Sequence, residues 1–375
     1  MDDFQVFVKP VGAACNLACS YCYYLDKEQL YSVRGLPRMS IEMLEIYIRQ
    51  HIEASSGQTV FFSWHGGEPT LAGLSYFQTI VAIQKKYLSP GRSALNGIQT
   101  NGTLLDQAWC RFLKEENFVV GVSIDGPDEF HSKYRLRKNG LSSFEDVLRG
   151  IQLLKEYNIP FEVLCVINAE NVGHPLEVYR FLKDLQPGFI TFIPLVERLS
   201  ADGIGVSDRS VCAKAFGEFL CVVFDEWKTV DIGKVKVQIF EEALRTAFGV
   251  EHSHCIFRPT CGLVPVVEHN GDFYSCDHFV EPKYRIGNIQ EKSLREMLES
   301  QAQRSFGQAK LNSLPKYCLS CEVLSMCHGA CPNERFIDAP DGEPGLNYLS
   351  EGYRLFFNYC KPFVNHVAEI WKSQQ

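Results

Sequence analysis

The chain has 375 residues, 46% of them hydrophobic and 22% charged, the balance of a soluble globular protein with room for one large domain and a smaller one. Its net charge is −8 and no block of Lys or Arg occurs, which argues against nucleic acid as a primary partner and leaves a basic peptide open. No window approaches about 18 uninterrupted apolar residues, so neither a membrane span nor a membrane partner is expected.

The opening MDDFQVFVKP lacks a basic start followed by an apolar run, so no signal peptide is expected and the cytoplasm is the expected compartment. There the fifteen cysteines stay reduced, and clustered cysteines are more often metal ligands than disulfides.

In chain order, the pattern predicts a strand over 5–8, a helix over 41–51, a strand over 59–64 and a helix over 76–87. A short strand over 97–100, a helix over 106–116, a strand over 118–124 and a helix over 143–157 follow. A strand over 161–167, a helix over 176–185 and a strand over 189–193 complete six β-then-α alternations. Apolar strands joined by amphipathic helices predict an α/β fold with a parallel sheet, either open and doubly wound or a partial barrel. A helical bridge follows, over 208–228 and 238–248. From about His252 cysteines are dense, Gly and Pro frequent and strands few, so metal rather than a large apolar core is expected to hold this part. The expected division is 1–235 and 236–375. No solenoid repeat or low-complexity stretch is present.

Cys15, Cys19 and Cys22 lie in CNLACSYCYY just after the first strand. Three thiolates on one loop can hold three irons of a [4Fe–4S] cluster and leave the fourth open to a ligand. A three-ligand zinc site is the competing reading, although zinc prefers paired knuckles and four ligands. Gly66, Gly67, Glu68 and Pro69 follow the second strand. Adjacent glycines let backbone approach a ligand and Glu68 can accept from an ammonium group, although GGEP is also a common turn. QTNG (99–102) and Ser123 with Asp125 end the next strands, and Arg135 can pair with a carboxylate or lie solvated on the surface. These segments sit at the C-terminal ends of successive strands, where parallel α/β folds build sites.

The cysteine loop resembles the signature of the radical S-adenosylmethionine (SAM) superfamily. The resemblance implies a partial (β/α)6 barrel, SAM held through its amino and carboxylate groups on the open iron, and a 5'-deoxyadenosyl radical released on reduction. It implies SAM contacts from Tyr21, Gly66, Gly67, Glu68, Ser123, Arg135 and Leu195.

Downstream, Cys261, Gly271 and Cys276 give C-x9-G-x4-C, and Cys318, Cys321, Cys327 and Cys331 give C-x2-C-x5-C-x3-C, with Cys255 before them. Zinc ribbons compete with clusters here. The pattern resembles the SPASM extension, a C-terminal cysteine-rich iron–sulfur domain with two auxiliary [4Fe–4S] clusters, which makes three clusters in all. By that resemblance Cys255, Cys261, Cys276 and Cys331 hold one auxiliary cluster, and Cys318, Cys321 and Cys327 hold the other with a later cysteine. In relatives that cysteine falls in a segment like LNYLC, whereas this chain has Ser350 there. Cys360 is favoured slightly as the substitute, against Ser350 oxygen, an open iron, or a role for Cys360 as a buried thiol. Cys110, Cys165, Cys212 and Cys221 stand in apolar contexts and read as core.

Asp277 directly follows Cys276. It can be a base beside an electron acceptor or a turn cap. KPVGAACNLACSYCYY, WHGGEPTLAG, QTNGTLLD, VSIDGP, CDHF, RIGNI and GLNY with GYRLFF resemble the anaerobic sulfatase-maturating enzymes over nearly the whole chain. That family oxidises a Cys or Ser of an unfolded sulfatase to Cα-formylglycine. The resemblance implies Asp277 as catalytic base and reduced flavodoxin or ferredoxin as electron donor. Tyr24 and His65 are candidate peptide contacts; relatives often carry Gln at the place of His65. Two other functions stay open: a maturase that cross-links a ribosomal peptide with the same clusters, and a non-catalytic metal-bound scaffold.

Overall fold

The computed structural model describes residues 4–31, 35–199 and 205–374; the first three residues of the opening segment lie outside that range. The first half runs β1 (Phe7–Val8), α1 (Ile41–Ala54), β2 (Thr59–Trp64), α2 (Leu74–Tyr87), β3 (Ser93–Thr100), α3 (Gln107–Glu115), β4 (Val119–Ser123), α4 (Asp128–Tyr134), α5 (Phe144–Glu156), β5 (Phe161–Ile167), α6 (Pro175–Asp184), β6 (Ile190–Pro194) and α7 (Ala213–Glu226). The second half runs α8 (Gln238–Ala247), β7 (Val266–Val267), β8 (Asp272–Tyr274), β9 (Arg285–Asn288), α9 (Leu294–Leu298), α10 (Gln301–Asn312), α11 (Lys316–Leu319), α12 (Leu324–Cys327), β10 (Arg335–Asp338), β11 (Pro344–Asn347) and α13 (Ser350–Ser373).

The six expected strands are present. β3 starts at Ser93 rather than Gly97, because Ser93–Asn96, with Leu95 as the one large apolar residue, hides a strand whose backbone pairs with Thr59–Phe62. The second half holds more regular structure than expected, including the 24-residue α13.

Two compact units form, each assembled from separated segments. The first combines 1–124, 131–162 and 262–307, and the second combines 125–130, 163–261 and 308–375.

In the first unit the strand order is β4-β3-β2-β1-β7-β8-β9, parallel from β4 to β7 and antiparallel beyond. β2 shows how the sheet is held. Val60, Phe62 and Trp64 are buried on the face covered by helices, where the Tyr47 ring of α1 and the Phe77 ring of α2 meet Trp64 edge-on at 6.0 and 6.1 Å. Each such side chain contributes about 1.5–3 kcal/mol by leaving water. Trp64 Nε1 donates to Asn96 Oδ1 at 2.8 Å, so its polar edge is satisfied. Ser40 and Asp106 cap α1 and α3, accepting from Met43 N (3.1 Å) and Trp109 N (2.8 Å), each worth about 1 kcal/mol.

In the second unit β5 and β6 pair in parallel from Val163↔Ile190 to Ile167↔Pro194. α7 and α13 cross with their backbones in contact: a Cβ on Gly352 would stand 2.1 Å from the Ala213 carbonyl oxygen, and one on Gly217 would stand 2.6 Å from the Gly352 oxygen. Phe224 and Phe356 meet edge-on beside that crossing. Among the described residues no helix is long and apolar enough to cross a membrane.

Candidate active site

The site begins with the loop after β1. Cys15, Cys19 and Cys22 lie on it, and it is pinned from two sides. Ala18 N–H donates to Leu136 O (2.8 Å) and Ser20 N–H to Tyr134 O (3.1 Å). The GGEP turn closes the other side, with Gly67 N–H donating to Gly12 O (2.9 Å) and Glu68 N–H to Ala14 O (2.8 Å). Only glycine fits at 67, where a Cβ would meet Ala14 O at 2.1 Å and Ala13 O at 2.4 Å; Gly66 holds φ +129°. Burial pushes the Cys15 thiol up to about 12, aided by Glu68, Cys19 and Cys22, although the Leu17 N–H opposes this. Three thiols gathered where a negative charge is disfavoured fit a cationic metal cluster.

Glu68 is fully buried. Its Oε1 accepts from Thr70 N (3.0 Å), Thr70 Oγ1 (2.6 Å) and Thr100 Oγ1 (2.7 Å), and Oε2 accepts from Asn101 N (2.7 Å). Burial raises its pKa against these bonds. The carboxylate therefore latches the GGEP turn to QTNG, and only Oε2 keeps a lone pair for an outside donor. Asn101 Nδ2 in turn donates to Asn16 Oδ1 at 2.8 Å and points at Cys15 Sγ at 3.8 Å.

Ser123 Oγ accepts from Gln99 Nε2 (3.2 Å). Arg135 is buried rather than solvated, with its guanidinium 5.5 Å from the Tyr21 ring centroid. Leu195, in the second unit, is buried and donates its N–H to Ile167 O (2.8 Å).

The residues around Asp277 form a connected buried network. Asp277 opens a short turn after Cys276, which is in extended backbone. Its Oδ1 lies 2.5 Å from the Lys9 ammonium and its Oδ2 accepts from the Tyr23 hydroxyl. Burial alone pushes this carboxyl up, but the Lys9 ammonium, first among its charged neighbours, outweighs it and holds the pKa at about 2. Lys9 Nζ also stands 4.1 Å over the Tyr24 ring, and the Tyr24 hydroxyl donates to buried Glu268. Burial, then Lys9, hold the His65 imidazole down near 3, so it is neutral, and its ring stacks on Phe7 at 4.0 Å. The Tyr23 ring is 51% exposed and stacks on His278 at 5.1 Å. Tyr24 and His65 thus fall beside Asp277. Sequence reasoning missed Lys9, Glu268 and the bond from Tyr23, because no local pattern links residues 9 and 23 to 268 and 277.

In the second unit Cys261 and Cys331 act on two cations missed by sequence reasoning, Lys310 and Arg335, and Cys255 acts on the first. Lys310 Nζ donates to Cys255 O (3.0 Å) and Ile256 O (2.8 Å), and these three thiols act on its charge. Arg335 stitches Gly329 O (2.9 Å) and Lys310 O (2.6 Å). Cys318, Cys321 and Cys327 form a second group; burial and its neighbours push Cys327 up to about 12, while the Gly329 and Ala330 amides donate toward its sulfur. His328, Gly329 and Ala330 are all left-handed (φ +45°, +68°, +49°), a strained run that turns amides toward the sulfur, as in anion-binding nests. Among the described residues no three His, Cys, Asp or Glu side chains close around a single metal ion; in a cluster each thiolate binds its own iron.

Cys360 is not brought to either group. It is fully buried in α13, its Sγ 3.6 Å from Phe357 O, and the thiol acting on it is Cys221 of α7. Cys110 and Cys165 are buried, Cys221 is half-buried and Cys212 is exposed, so Cys212 departs from the core reading.

Comparison with known proteins decides the family. Residues 10–182 match the Radical SAM superfamily and residues 255–322 the iron–sulfur cluster-binding domain SPASM. The chain is 44% identical to the serine-type anaerobic sulfatase-maturating enzyme of Bacteroides thetaiotaomicron, over 99% of this chain and 92% of that one. The chain belongs to the anaerobic sulfatase-maturating enzymes. The cysteine-type enzyme of Clostridium perfringens is 33% identical over 98% of this chain and 99% of its own. The solved structure of native anSMEcpe with bound AdoMet superposes with a TM-score of 0.89 at 33% identity, covering 97% and 99% of the two chains. A second structure of anSMEcpe, with AdoMet and the Kp18Cys peptide, gives 0.88 at 33% identity, covering 97% and 99%. As a sulfatase-maturating enzyme the chain is a radical SAM oxidoreductase that generates formylglycine, with the partial (β/α)6 barrel and SPASM fold of its family.

Proposed function

We propose that this site converts a Cys or Ser of an unfolded sulfatase peptide to Cα-formylglycine, with Asp277 as the base. The observation that carries the reading is a buried carboxylate next to Cys276, kept ionised by Lys9 at 2.5 Å. Cys15, Cys19 and Cys22 would hold the SAM-binding cluster. Tyr21, Gly66, Gly67, Glu68, Ser123, Arg135 and Leu195 would surround SAM, with Arg135 suited to its carboxylate. Cys255, Cys261, Cys276 and Cys331 would hold one auxiliary [4Fe–4S] cluster, and Cys318, Cys321 and Cys327 the other. Residues 1–235 thus carry the radical chemistry and 236–375 the auxiliary clusters.

Bound there, SAM and the clusters supply a 5'-deoxyadenosyl radical that removes a Cβ hydrogen, and an acceptor for the remaining electron. The chain does the rest. Asp277 takes the thiol or hydroxyl proton of the target side chain, which leaves the aldehyde from Ser and a thioaldehyde from Cys that water hydrolyses with loss of sulfide. Lys9 keeps the carboxylate charged beforehand, and neutral His65 with Tyr24 walls the peptide without adding charge. Reduced flavodoxin or ferredoxin is the proposed donor and the cytoplasm the proposed compartment. The test is anaerobic incubation with SAM, reductant and a peptide containing C-x-P-x-R or S-x-P-x-R. A loss of about 18 Da from Cys or about 2 Da from Ser is expected, the bond arithmetic of aldehyde formation. An unchanged or internally cross-linked peptide, with 5'-deoxyadenosine released, would defeat this reading.

A further inference from the structure

The second auxiliary cluster of the reading above has three thiolates, and we infer that its fourth iron is bound by Ser350 Oγ, at the wall of a cavity in the second unit. This rests on that reading for the presence of the cluster. The fourth iron of such a cube stays open unless a donor reaches it, and most other thiols of the second unit are placed elsewhere. Cys255, Cys261 and Cys331 act on Lys310, Cys165 is enclosed in β5, Cys360 lies with Cys221 inside a helix pair, and Cys212, exposed at the start of α7, acts on Tyr348 of the same cavity wall and is the competing thiol. Reaching a cluster from Cys360 would require unwinding α13, whose Tyr353, Phe356 and Phe357 are buried with it.

Ser350 lies four and eight residues before Arg354 and Asn358 on α13, which bond to Tyr317 and Glu322 beside Cys318 and Cys321. It lines a cavity of about 730 Å³, and so do Tyr317 and Glu322, the residues immediately before Cys318 and after Cys321. Two more wall residues, Ile337 and Leu346, pack in the same apolar cluster as Cys318. The turn leading to Ser350 is fixed to the cysteine loop: Asn347 Nδ2 donates to Cys331 O (3.0 Å), and Asn347 Oδ1 accepts from Leu349 N (2.8 Å). Glu322 is already committed, with Oε1 accepting from Arg354 Nε (3.0 Å) and Asn358 Nδ2 (2.8 Å). Among the described residues the half-buried Ser350 hydroxyl takes no side-chain hydrogen bond, so its oxygen is free to ligate. A single oxygen ligand makes one iron of this cube chemically distinct and more easily lost than its thiolate-bound neighbours.

The experiment uses the full chain, anaerobically reconstituted, with Cys15, Cys19 and Cys22 replaced by Ala so that only auxiliary clusters remain. It compares this parent with added Ser350→Cys, Ser350→Ala or Cys360→Ala, reading iron content, ⁵⁷Fe Mössbauer spectra and the electron paramagnetic resonance of three-iron clusters after mild oxidation. The parent and the Cys360→Ala protein should each hold about 8 irons, show one distinct iron site and give a three-iron signal. Ser350→Cys should abolish both signatures at unchanged iron content, and Ser350→Ala should give the three-iron signal more readily than the parent. Equal three-iron yields from the parent and either Ser350 variant, or loss of iron in Cys360→Ala, overturn the assignment while leaving the cluster in place. A parent with about 4 irons removes the second auxiliary cluster itself and with it the underlying reading.

Discussion

Lys9 Nζ lies 2.5 Å from Asp277 Oδ1, and the two side chains are only 1% and 9% exposed. Removing one partner of a buried pair strands the other charge, at a cost of about 3–5 kcal/mol. Lys9→Met should therefore lower the melting temperature and cut formylglycine yield while 5'-deoxyadenosine is still released. Equal loss of both products would assign Lys9 to SAM binding instead.

Asp277→Asn keeps the shape and removes the base. General base catalysis contributes about 10²–10⁴-fold, so formylglycine formation should fall at least about 100-fold with adenosine release retained. Quantifying both products in one anaerobic assay by mass spectrometry checks this. Tyr23→Phe, which removes one donor from the same carboxylate, should have a smaller effect in the same direction.

Gly67→Ala places a methyl group 2.1 Å from Ala14 O, against backbone that is itself hydrogen-bonded to the turn. Neither side can yield cheaply, so the cysteine loop should move. Iron content should fall by about 4 per chain, one cluster's worth, and SAM binding measured by calorimetry should be lost, with the auxiliary clusters retained.

Glu68→Gln puts an amide NH2 among groups that all donate. Whichever oxygen it replaces, at least one buried N–H or O–H loses its acceptor, at a cost of about 1–3 kcal/mol. The melting temperature and SAM affinity should drop together. A drop in SAM affinity alone, with unchanged stability, would favour direct contact with the cofactor over the latch.

His51 is buried in α1, 2.9 Å from the Tyr47 hydroxyl, and burial holds its pKa near 3. Unfolded, it titrates near 6.5. Its folded pKa is depressed, so the stability it contributes is fully present above about 6.5 and is lost as pH falls toward 3. The loss should be about 2 kcal/mol at pH 5. The melting temperature should fall from pH 8 to 5 in the wild type and fall less in His51→Gln.

The six strands and the cysteine loop were legible because their signals are local: apolar runs, C-x3-C-x2-C, and adjacent glycines after β2. Glu68 was visible as a residue but its role was not, since its partners Thr100 and Asn101 come from the next strand end. Lys9 carries no local signal, and only the arrival of Asp277 gives it a partner. α13 lies where metal rather than regular structure was expected to dominate, and packing of Tyr353, Phe356, Phe357, Cys360 and Val364 carries the helix through Pro362. The same packing explains why Cys360, attractive as a ligand by its distance along the chain, ends in a core.

β1 has two neighbours, and one arrives late. Phe7 and Val8 pair with Ser63 and Trp64 on one side and with Val266 and Val267 on the other. While the chain is being synthesised, the strand that leads into the first cysteine loop keeps an open hydrogen-bonding edge until residue 267 has left the ribosome. A gene fragment stopping at residue 235 would expose that edge permanently and invite aggregation, however complete its catalytic motifs looked on paper.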